Sequence, residues 1–158
     1  MPLSALIFGA TLLAAAAAQT ATTPMTTRAT GTFDVKLNPL DTYDKTDDSP
    51  MRRMSIDKQF HGDLEATSKG EMLSAGTAVK TSAGYVAIER VSGTLNGRKG
   101  TFVLQHNGIM NRGTPQLTVT VVPDSATGEL VGLSGTMTII IEGRKHSYEF
   151  EYSMSEAR

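Results

Sequence analysis

Residues 84–108 read GYVAIERVSGTLNGRKGTFVLQHNG, and this stretch decides the fold. Asn96-Gly97 is the preferred two-residue type I′ hairpin turn, since both turn positions need a positive φ and Asn and Gly adopt one at least cost. On either side the text alternates between apolar and polar residues. The turn pairs Leu95 with Arg98, and the other partners follow by counting: Val91 opposite Phe102, Glu89 opposite Leu104, Ala87 opposite His106. Because side chains in a strand alternate, Tyr85, Ala87, Glu89, Val91, Phe102, Leu104 and His106 share one face. Val86, Ile88, Arg90, Val103, Gln105 and Asn107 share the other. The first face is taken as the interior.

A second hairpin lies downstream. With Glu142-Gly143 at its tip, Ile139 pairs with His146, Met137 with Tyr148 and Gly135 with Phe150. Leu133, Met137, Ile139, Ile141, His146, Tyr148, Phe150 and Tyr152 then face inward against an outer row of Ser, Thr, Lys and Glu. Upstream, Phe33, Val35 and Leu37 alternate with Thr32, Asp34 and Lys36 until Asn38-Pro39 ends the strand. Met54, Ile56, Lys58 and Phe60 alternate with Ser55, Asp57, Gln59 and His61. Leu64 to Ser68 and Met72 to Lys80 supply two shorter strands, and Gln116 to Pro123 another. About eight strands and no helix predict an all-β fold: a single antiparallel closed barrel of lipocalin-like, up-and-down architecture over residues 30–154.

Ahead of the barrel, Pro2 to Ala18 carry no charge and run from an apolar core into alanines, the pattern of a signal peptide cleaved after Ala18. A Thr-rich spacer over 19–29 follows. The expected location is periplasmic or secreted; if Met25 is the true start, it is cytoplasmic. The chain has no Cys, which excludes a thiol nucleophile and thiolate metal sites. A net charge of −1 with dispersed basic residues speaks against nucleic acid, and nothing suggests a membrane surface. The acidic Pro39–Pro50 loop lacks calcium-loop spacing. Nucleophile elbows, zinc pairs and phosphate-binding glycine loops are absent from the sequence.

Chemistry is therefore sought inside the barrel. Successive turns of an up-and-down chain alternate ends, so Tyr85, His106 and His146 ring one mouth, with Glu89 about 13 Å deeper along its strand. Glu89 and His106, diagonal neighbours on one face, are candidate acid and base with Tyr85 beside them, or simply a buried structural pair. Phe102, Leu104, Met137, Tyr148 and Phe150, with His146, are the candidate lining for an apolar ligand. No metal and no cofactor is expected. The expected partner is a small apolar or amphipathic molecule; the alternative is a second copy of the chain on the outer face around Val86, Ile88 and Val103.

The run from Tyr85 to His106, followed by Val122-Pro-Asp-Ser-Ala-Thr-Gly-Glu-Leu130, resembles a bacterial family catalogued only as a domain of unknown function. That family is similar in fold to the allene oxide cyclase barrel, and the match covers about Thr30 to Ser153. The segment before Thr127-Gly128-Glu129-Leu130, usually glycine-rich in the family, reads Asp124-Ser125-Ala126 here. The resemblance implies an eight-stranded barrel with a central cavity. It also implies, as an expectation, cofactor-free cyclisation with a cavity glutamate, for which Glu89 is the candidate. Three functions are thus expected, in order: binding of a small apolar molecule, a cyclase or isomerase using Glu89, and a filled barrel acting as a structural or protein-binding module.

Overall fold

The structure, a computed structural model, describes residues 25–155. The signal peptide and most of the spacer read from the sequence lie outside the described residues. Nine strands follow in order: β1 Thr27–Leu40, β2 Met51–Gly62, β3 Leu64–Gly76, β4 Ala83–Leu95, β5 Arg98–Asn111, β6 Thr114–Val121, β7 Thr127–Gly128, β8 Leu133–Glu142 and β9 Lys145–Met154. Every pairing is antiparallel; successive strands pair from β1 to β6 and β8 pairs with β9, while β9 returns to β1 and β6 meets β8. Eight strands close the barrel. The two-residue β7 lies outside it, against the lower part of β5.

The central hairpin has the register that its turn dictates, including Val91 with Phe102 and Ala87 with His106. Asn96 and Gly97 have φ of 46° and 82°, the two positive values that a type I′ turn requires. The last hairpin differs from expectation. Its tip is Gly143-Arg144, so Glu142 pairs with Lys145, Ile139 with Tyr148 and Met137 with Phe150. The slip is by an even number of positions, so every side chain keeps its face. Leu133, Met137, Tyr148, Phe150 and Tyr152 are indeed buried.

Two other boundaries differ for physical reasons. Asn38-Pro39 does not end β1, in which Pro39 pairs with Met54 and Leu40 with Arg53. Pairing of β1 with β9 stops at Phe33, so Pro39 sits where β1 is an edge and a missing N–H is tolerated. The two short strands expected around Gly70 are one continuous β3, which ends at Gly76 and leaves residues 77–82 in a turn. Gly70 is not a break but a space. A Cβ there would lie 2.8 Å from Glu89 Cα and 2.4 Å from the Ile88 carbonyl oxygen.

The core fills the lower barrel, at the Asn96-Gly97 end. Phe60, Val91, Leu95, Phe102, Leu104, Leu130, Tyr148 and Phe150 are all buried there. Phe102 and Phe150 stack at 5.9 Å between centroids, and Phe60 meets Tyr148 edge-on at 5.7 Å. The Tyr148 hydroxyl accepts from the Leu64 N–H at 2.9 Å, so its polar end is satisfied inside this layer. The other end is the mouth, where β1 ends, β2 begins, and the turns 77–82, 112–113 and 143–144 lie.

Candidate functional site

At mid-barrel a polar layer sits on the apolar core. Lys58 from β2, Ser68 from β3, Glu89 from β4 and His106 from β5 are the four buried polar side chains among the described residues. Each occupies an inward position of its strand. Lys58 pairs with Ser68 across β2–β3, and Glu89 is diagonal to both Ser68 and His106, so adjacent strands deliver all four to one place. Lys58 Nζ donates to Glu89 Oε2 at 2.7 Å. His106 Nε2 lies 2.9 Å from the same oxygen, and since a carboxylate only accepts, that nitrogen carries the hydrogen. Ser68 Oγ donates to Glu89 Oε1 in a short hydrogen bond.

The carboxylate is fully buried. Burial alone would raise its pKa, but the His106 hydrogen bond, the Lys58 charge and the bonds from Lys58 and Ser68 outweigh that and pull it down to about 2. Lys58 is held on its other side by aromatic faces, its Nζ lying 5.0 Å from the Phe33 centroid and 5.5 Å from that of Phe60. The result is an ion pair between Lys58 and Glu89 in which both carboxylate oxygens already accept hydrogen bonds.

Above this layer stands Tyr85. Its ring lies against the backbone of Gly108, its cross-strand partner, where a Cβ would be 2.1 Å from Tyr85 Cε1. The ring is 6.5 Å from that of His106. Burial and the Glu89 charge both raise the phenol's pKa, so Tyr85 is a donor at neutral pH. Beyond it opens a cleft of about 410 Å³, lined by Met72, Ser74, Tyr85, Met110, Leu117 and Ile141 among others. Among the described residues, no Lys, Arg, His, Asp or Glu lines it.

The cleft reaches the weakest join of the barrel. Between β6 and β8 there is a single bridge, Thr120 with Thr136. Mouthward of it the two strands carry Leu117 and Ile141, which are 42% and 63% exposed. A larger concavity of about 740 Å³ lies on the outer wall beside Arg53, Leu73, Val86 and Ile88. It contains no buried polar group and is separated from the mid-barrel layer by the sheet itself.

Of the residues singled out from the sequence, Glu89 and His106 are joined directly and Tyr85 stands over them. His146 is on the mouth side but apart from the pair, its ring 5.2 Å from Phe33. Phe102, Leu104, Met137, Tyr148 and Phe150 lie in the packed lower core, below the polar layer rather than along the cleft. Lys58 and Ser68 were missed. Lys58 had a legible signal, a charged residue at an inward position between Ile56 and Phe60. Ser68 had none, because no two-residue turn sets the β2–β3 register in advance.

The family model described as "Protein of unknown function (DUF3224)" matches residues 29–152. A similar solved structure is that of a DUF3224-family protein of unknown function from Shewanella oneidensis MR-1, at 55% identity and a TM-score of 0.80. The match covers 84% of this chain and 100% of that one. No curated protein matches. The chain belongs to the DUF3224 family, and its barrel is that family's domain.

Proposed function

We propose that this barrel binds a small, largely apolar molecule in the cleft at its mouth, with Tyr85 forming the floor. The observation that carries this reading is the division of the interior. The lower half is filled by its own aromatic side chains, whereas the mouth keeps about 410 Å³ of apolar space, within the usual range of small-ligand sites. Exposed Leu117 and Ile141 at an incompletely joined seam gain from being covered.

The polar layer supports a scaffold role beneath the ligand more than a catalytic one. A carboxylate held at about pKa 2 is a weak base, and its oxygens already accept from Lys58, His106 and Ser68. A cyclase reading with Glu89 as the proton acceptor draws no support from that geometry. The test is native mass spectrometry of protein purified from its own source. A mass excess of a few hundred daltons that is lost on denaturation is the expected result. Ligand-free protein that also takes up no neutral apolar dye would refute the reading and favour a filled structural barrel.

A further inference from the structure

The mouth cleft is apolar, and it is also uncharged in a way that selects its occupant. We infer that the molecule it holds is electrically neutral, an apolar body with one hydrogen-bonding group that meets the Tyr85 hydroxyl. This rests on the small-molecule reading above and narrows it.

The argument is one of charge complementarity. A charged head entering the cleft leaves water and needs a counter-ion; without one the desolvation cost is uncompensated. Among the described residues, the lining includes no ionisable group except the Tyr85 phenol. The charges beneath the cleft, Lys58 and Glu89, already neutralise each other at 2.7 Å below Tyr85, with Ser68 and His106 as the carboxylate's further partners. Drawing Lys58 upward to meet an acid would strand Glu89 fully buried without its cation. An incoming amine meets the same obstacle in reverse, since Glu89 is fully buried below Tyr85 and already paired with Lys58.

One polar group does remain. All buried side-chain polar atoms among the described residues have partners, but the half-buried Tyr85 hydroxyl makes no hydrogen bond with the described residues. It borders the cleft and retains its proton at neutral pH, so it can donate to a carbonyl or hydroxyl oxygen. The remaining contacts come from Met72, Met110, Leu117 and Ile141, of which the two methionines are adaptable packing partners.

The experiment is displacement of Nile red by 1-decanol, decanoate and decylamine at pH 7, below micellar concentrations. The inference expects decanol to displace the dye at least about tenfold better than either ion, and Tyr85→Phe to weaken decanol by about fivefold to tenfold. Ile141→Lys is the second arm. Ile141 is exposed, so the variant folds, and the added cation at the rim is expected to raise decanoate affinity selectively. Decanoate binding as well as decanol in the wild type would overturn neutrality, as would a Tyr85→Phe variant indistinguishable from wild type. An Ile141→Lys variant with unchanged preference would place the probe elsewhere and also overturn the inference. Failure of Nile red and all three probes to bind is a different result, which removes the small-molecule reading itself.

Discussion

Replacing Glu89 with Gln tests whether the polar layer is a stabilising unit. The side chain keeps its shape, so packing is little changed, but the Lys58 ammonium, with its side chain only 5% exposed, loses its counter-charge. Breaking a buried pair from one side costs roughly 3–5 kcal/mol, a large part of the roughly 5–15 kcal/mol that holds a domain of this size together. Lys58→Met alone should cost a similar amount, since it leaves Glu89 buried with only His106 and Ser68. The double variant should recover much of the loss, because it buries no unmatched charge. A double-mutant cycle should therefore yield a coupling of at least about 3 kcal/mol, the cost of one single variant.

Urea unfolding followed by far-UV circular dichroism measures this, with tyrosine emission as a second probe in a protein without Trp. Acid titration adds an independent sign. The Glu89 carboxyl is lowered from 4.5 to about 2 in the folded state, so its contribution is present above about pH 4.5 and disappears as pH falls toward 2. The stability gap between wild type and Glu89→Gln should thus close on acidification. Single variants that each cost under about 1 kcal/mol, or costs that simply add, would refute the reasoning.

Three further outcomes are expected. Gly70→Ala places a Cβ against the Ile88 carbonyl and the Glu89 backbone, neither of which can swing away, and should destabilise by roughly 2–3 kcal/mol in the same urea assay. Asn96→Ala strains a φ of 46° and removes the 2.9 Å hydrogen bond from Asn96 to the Tyr152 hydroxyl; about 1–2 kcal/mol should be lost, and a change under about 0.5 kcal/mol would contradict the turn assignment. Mass spectrometry of the native chain should find it starting at Gln19, as cleavage after Ala18 requires; a chain starting at Met25 would remove the export reading.

Where local chemistry is decisive, the sequence was sufficient. Asn96-Gly97 imposes its own backbone geometry, so it specified a thirteen-pair ladder from Leu95–Arg98 to Ala83–Met110, and with it the adjacency of Glu89 and His106. The period-2 alternation likewise specified which side chains share a face, even in the last hairpin, where the tip was misplaced but the slip preserved parity. Tertiary structure decided what the alternation leaves open. Lys58 and Ser68 reach Glu89 through two further strands, and their register depends on the closure of the barrel rather than on a turn. Only closure shows that the lower interior is filled by Phe102, Phe150 and Tyr148, while space is left above Tyr85 at the β6–β8 seam. Whether inward side chains meet or leave a gap depends on strands far apart in the chain, and packing in three dimensions alone sets that distance.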